Sequence, residues 1–175
     1  MQKTPNTSFF DTSVRGIELS LNVFIAYEDL AAGKRAKETC DLMSANLGAD
    51  WRIETQLASF KALSIPKLRR VAALEAASSD VLLISCGDAR LPLRVTDWLE
   101  TLLGGDHRAM AMVALFSCQR PASGRATKVE NSLSDTAKEG RVQFFSRFEQ
   151  SSPGQWEWTG RQPAELGEWG GKVAP

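Results

Sequence analysis

Side chains able to do chemistry sit at the ends of short apolar runs in this sequence. Glu28 and Asp29 follow the run LNVFIAY, Cys86 and Asp88 follow DVLLIS, Ser117 and Cys118 follow MAMVALF, and Arg147 lies near the end of VQFFSRF. Two carboxylates such as Asp88 and Glu28 could divide acid and base roles. Cys86 and Cys118 could form a redox pair if their runs are neighbours, although a cysteine without a disulfide more often serves as a small buried hydrophobe. Structural roles compete for the acids as well. Glu28 and Asp29 suit the start of a following helix, and Gly87-Asp88 suits a turn and cap before Leu91-Pro92.

Several chemistries are excluded. The only histidine, His107, lies in a Gly-Gly-Asp-His turn, and no G-x-S-x-G elbow accompanies it. The three cysteines, Cys40, Cys86 and Cys118, have neither zinc-ligand spacing nor the even count of a disulfide framework. No glycine-rich phosphate loop follows the first apolar run, where the residues are Tyr27-Glu28-Asp29-Leu30. An acidic turn would repel the phosphate of a flavin or nicotinamide cofactor. No cofactor is therefore expected from these residues alone.

The elements that must position these groups are legible from hydrophobic period. Residues 21–27, 80–85 and 110–116 are short apolar runs, as parallel strands buried on both faces should be. Residues 51–57 alternate with period two and predict a half-buried edge strand, and residues 142–148 predict a fifth strand. Between them, Ala32, Ala36, Cys40, Met43 and Leu47 form a helical stripe over residues 31–47, with Gly48 at the C-cap position. Leu68, Val71, Ala72 and Ala76 mark a second helix opening at Pro66, with Ser64 as its cap. Val95, Trp98, Leu99 and Leu102 mark a third, over residues 92–103. Ala126, Val129, Leu133 and Ala137 mark a fourth, over residues 125–139, stopped by Gly140.

Alternating strands and helices predict an α/β fold: a flavodoxin-like, three-layer α/β/α domain with a five-stranded parallel sheet in the order 2-1-3-4-5. In that order the first, third, fourth and fifth strand ends meet at one crevice. Residues 1–18 read as an N-terminal extension, 19–150 as the domain, and 151–175 as a tail rich in glycine and tryptophan. Only the helix at residues 31–47 would cover one face of the sheet. Trp156, Trp158 or Trp169 of the tail is therefore expected to pack there, helped by Phe9 and Phe10, or to seal a homodimer.

Layout over residues 20–148 resembles the receiver domain of two-component response regulators. The resemblance implies that Glu28 and Asp29 correspond to the acids that hold Mg²⁺, and Ser117 to the hydroxyl ending the fourth strand. It departs at the centre: Cys86 stands where the phosphoacceptor aspartate belongs, and Asp88 comes two residues later. Ser146-Arg147 replaces the family's lysine-proline pair, and arginine is a different phosphate ligand from lysine. The segment Gly87-Asp88-Ala89-Arg90-Leu91-Pro92 is also similar to bacterial proteins of unassigned activity with Gly-Asp-x-x-Leu-Pro after a strand. The resemblance implies a degenerate signalling domain that works through a protein partner. The alternative is a small enzyme or ligand-binding protein using the same crevice.

Composition sets the expected surroundings. Lys plus Arg and Asp plus Glu are 21 each, giving zero formal net charge, so nucleic acid is not the expected partner. Two local basic runs, Lys34-Arg35-Lys37 and Lys67-Arg69-Arg70, fall on expected helices and read as solvated faces. Residues 1–8 lack the pattern of a signal peptide and no run is long enough to span a membrane, so the expected location is the cytoplasm.

Overall fold

The computed structural model describes residues 19–87, 90–118, 127–149 and 159–160. Strands β1 (Leu19–Tyr27), β2 (Trp51–Ser59), β3 (Val81–Cys86), β4 (Ala111–Phe116) and β5 (Gln143–Phe148) form one parallel sheet in the order β2-β1-β3-β4-β5. A two-residue strand, β6 (Thr159–Gly160), pairs antiparallel with the outer edge of β5. The flavodoxin-like order expected from the sequence is the one observed. β1 and β2 are each longer than their apolar runs, because the ladder continues from Leu19 opposite Trp51 to Tyr27 opposite Ser59. The added residues, Leu19-Ser20 and Ala58-Ser59, extend the backbone pairing beyond those runs.

Alternate residues of the sheet go to opposite faces. Val23, Ile25, Val81, Leu83, Val113 and Leu115 pack against Ala36 and Cys40 of helix α1 (Leu30–Leu47). The other face carries the larger core. There Phe24, Leu82, Ile84 and Met112 pack against a short helix α2 (Phe60–Leu63), α3 (Pro66–Ala77), α4 (Leu93–Leu103) and α5 (Lys128–Glu139). Phe24 and Trp98 meet at its centre, with ring centroids 5.7 Å apart. Among the described residues, α1 is the one helix on its face, as the handedness of the crossovers requires. Trp156, Trp158, Trp169, Phe9 and Phe10 lie outside the described residues.

Two expected helical stripes change. In α1, Ala32, Ala36 and Cys40 are buried, but Leu47 is exposed at the last turn. In α3, Ala72 and Ala76 are buried, whereas Leu68 and Val71 are about half exposed, at 48% and 52%. Ala73 and Ala77 extend the alanine stripe. Small side chains let α3 lie close to the sheet, so its bulkier residues are left on the outer face. The period admitted both stripes, and packing distance chose the smaller one.

Helix starts follow local hydrogen bonds. Asp29 caps α1, accepting from the Ala32 N–H at 2.8 Å. Ser64 does not cap α3; its N–H and hydroxyl close α2 by donating to the Phe60 carbonyl, and Ile65 takes the cap position before Pro66. α5 starts at Lys128 rather than Arg125, because Thr127 and Glu130 form a reciprocal capping box that fixes its first turn. Gly48 has φ +92°, a conformation that favours glycine. At Gly140 the reason for glycine is space, since a Cβ would come within 2.8 Å of the Leu103 side chain.

The edge opposite the crevice is tied by Asp80. Its buried carboxylate accepts from the Asn22 N–H at 2.9 Å, from Asn22 Nδ2 at 3.2 Å and from Arg108 at 3.1 Å. Its backbone joins β1 and β4 through Asn22 and Met110. Asp80→Ala strands the Asn22 N–H, so it should lower unfolding free energy by about 1–3 kcal/mol. Urea melts of the two proteins check this, and equal midpoints would contradict it.

Candidate functional site

Because β1, β3, β4 and β5 are parallel, their carboxyl ends emerge on one edge of the sheet, and the order reverses between β1 and β3. Backbone bonds continue the sheet past the strand ends, from Glu28 N to Ser85 O (3.0 Å), Ser117 N to Cys86 O (3.1 Å) and Glu149 N to Phe116 O (2.8 Å). This continuation brings Glu28, Gly87 and Ser117 together.

Gly87 is held from two sides. Its N–H donates to Glu28 Oε2 at 2.6 Å, and its carbonyl accepts from Ser117 Oγ at 3.0 Å. The first bond involves a charged acceptor and is short for that reason. A Cβ at this position would lie 3.3 Å from Glu28 Oε2 and 3.6 Å from Ser117 Oγ, closer to the carboxylate than most side chains come. Glycine thus admits the close approach of β1 and β4 ends to the β3 loop. The neighbouring Ser85 is wholly buried and donates to the Ala32 carbonyl at 2.8 Å, fastening β3 to the first turn of α1.

The sequence candidates separate on this edge. Glu28 and Ser117 come together, on the peptide units of Gly87. Asp29 turns away to cap α1. Among the described residues, no group of three or more His, Cys, Asp and Glu side chains is placed to hold a metal ion. Asp88, expected as an acid or base, lies outside the described residues.

Cys86 points to the larger core and is fully buried, while Cys118 is half-buried against the same core. No disulfide joins them, and the register sets Cys86 opposite Phe116 rather than Cys118. Arg147 is buried on the α1 face opposite Leu115. Burial lowers its guanidinium pKa to about 10, so it stays protonated at neutral pH. Its neighbour Ser146 faces the other way and donates to Glu130 Oε1 at 2.5 Å.

Glu130 and Asp80 are buried acids that lie outside the strand-end pattern of the sequence. The signal for Glu130 was present, since Thr127-x-x-Glu130 is the spacing of a capping box. Asp80 had none, because an acid opening an apolar run looks like a turn residue. Open surface grooves among the described residues lie elsewhere. One of about 410 Å³ borders Glu100, Lys128, Asp135 and Glu139, and one of about 510 Å³ borders Asp41, Gly48 and Trp51.

No family model matches the chain, and no curated protein does.

Burial desolvates Cys40 and raises its thiol pKa from 9.0 to about 11, which leaves it protonated at pH 8. In the native protein at that pH, a thiol reagent should label Cys118 first and spare Cys40 and Cys86 until the chain is unfolded. Peptide mass mapping reads the order of labelling. Fast native modification of Cys86 would contradict the burial described here.

Proposed function

We propose that the chain is a receiver-like interaction domain that acts by docking a protein partner, without orthodox aspartyl phosphorylation. The observation that carries this reading is the outer face of α3. Ile65, Leu68, Val71 and Leu74 are 47–70% exposed there, and Leu93, which opens the neighbouring helix α4, is 80% exposed. Single exposed hydrophobes are ordinary, but Leu68, Val71 and Leu74 on successive turns of one helix form an apolar patch of the kind that marks a contact surface. Exposed Lys67, Arg70 and Arg94 flank it. The partner it fits presents apolar side chains among acidic ones.

The strand-end edge supports the same reading from the other direction. Cys86, at the position of the family's phosphoacceptor, contributes a buried thiol to the core rather than a carboxylate to the crevice. Glu28 and Ser117 spend hydrogen bonds on Gly87, and Asp29 spends one on a helix cap. A protein fold of this kind, whose location is taken as the cytoplasm, would then signal through its surface.

Two measurements test the proposal. Incubation with a small phosphodonor and Mg²⁺ should leave the intact mass unchanged; one added phosphoryl group, lost on Asp88→Asn, would overturn the reading. The second uses Leu68→Glu and Leu74→Glu, exposed substitutions that should change stability by no more than about 0.5 kcal/mol. Cross-linking in the protein's own cells should recover partners with the parent chain and lose them with these variants. Identical recovery would place the contact elsewhere and contradict the α3 assignment.

A further inference from the structure

The two edges of the sheet are treated differently. β5 has its outer edge partly covered by β6, whereas β2 has no strand on its outer side among the described residues. Open edges are usually blunted by charged side chains, lysine above all, by proline, by a bulge or by shortness. β2 carries Arg52 and Glu54 on the face away from α1, but it has no lysine, proline or bulge and is not short. It is nine residues long, its register with β1 is unbroken, and its sequence WRIETQLAS lacks both proline and lysine.

Backbone direction on β2 follows from one bond. Leu19 N donates to Asp50 O at 2.9 Å while Leu19 lies opposite Trp51. In a parallel ladder that geometry turns the even-numbered residues of β2 toward β1. Ile53, Thr55 and Leu57 therefore direct their N–H and C=O groups away from the sheet. Their side chains share the α1 face, where Ile53 is half-buried and Leu57 is 48% exposed.

We propose that β2 pairs antiparallel with the β2 strand of a second copy of this chain, about a two-fold axis at Thr55, merging two sheets into one. Charge and length select the register. An axis at Glu54 would set that carboxylate against the partner's Glu54, and like charges directly opposite are destabilising. An axis at Ile53 would confine the ladder to residues 51–55. The axis at Thr55 uses all of Trp51–Ser59. It sets Ile53 against the partner's Leu57, Leu57 against the partner's Ile53, and Glu54 against the partner's Gln56. The outward backbone groups then pair, and the exposed Leu57 gains an apolar neighbour. This inference is independent of the α3 surface, which lies on the opposite face of the sheet from these side chains.

The test is mass in solution with variants that read the register. Light scattering on the full chain should give twice the 19.2 kDa of one chain. Thr55→Pro removes an N–H that β1 does not use, so it should keep the far-UV spectrum and halve the mass. A hydrogen-bonded antiparallel pair holds its Cα atoms about 5.5 Å apart, within disulfide reach. In a Cys118→Ser background, Thr55→Cys should therefore form a covalent dimer on mild oxidation, and Arg52→Cys should not. The mass of one chain at high concentration would overturn the proposal, as would a Thr55→Pro protein of unchanged mass. Efficient cross-linking at position 52 instead of 55 would overturn the register. Loss of the dimer on Leu68→Glu with retention in Thr55→Pro would overturn the edge in favour of α3.

Discussion

Everything in this fold is hung on the burial of β3. It pairs with β1 on one side and β4 on the other, and all of Val81–Cys86 is buried. A strand enclosed on both faces and both edges leaves no freedom for its neighbours. Leu83 and Val81 commit one face to α1, while Leu82 and Ile84 commit the other to α3, α4 and α5. The same enclosure brings the β1 and β4 ends against the β3 loop, where a Cβ at Gly87 would lie 3.3 Å from Glu28 Oε2.

That edge has the position of a ligand site, and among the described residues Glu28 and Ser117 bond to Gly87 while Asp29 caps α1. In an open α/β sheet the strand ends around the order reversal are where charged side chains gather, whatever they then do. Here a carboxylate and a hydroxyl hold a backbone turn, and a second carboxylate holds a helix. The exposed features on which the proposals rest are the outer face of α3 and the edge of β2, which has no strand beside it among the described residues. Both would be read by proteins rather than by small molecules, which is what joins the two proposals made above.

Much of the fold was legible because its signals are local. DVLLIS and MAMVALF could hardly be anything but central strands, and right-handed crossovers then left α1 alone on its face. α3 was misread for a physical reason. Leu68-Val71 and Ala72-Ala76 both satisfy a helical period, and only the spacing to the sheet decides between bulky and small. The Ser64 cap was misread because α2, a single turn of helix, cannot be seen in so short a pattern. Of the candidate site, residue types and their shared edge were legible. Which acid capped a helix and which reached Gly87 was not, since Glu28 and Asp29 differ by one residue along a chain whose direction changes between them.

The claim that most of this depends on is that the Glu28 carboxylate holds the Gly87 amide, which closes the strand-end edge on itself. An amide-resolved NMR spectrum of the full chain, compared with that of Glu28→Ala, reads this directly. The account predicts that the Gly87 amide proton lies downfield in the parent protein and moves upfield in the variant, with the resonances of β3 unchanged. A Gly87 amide at the same position in both spectra would contradict it.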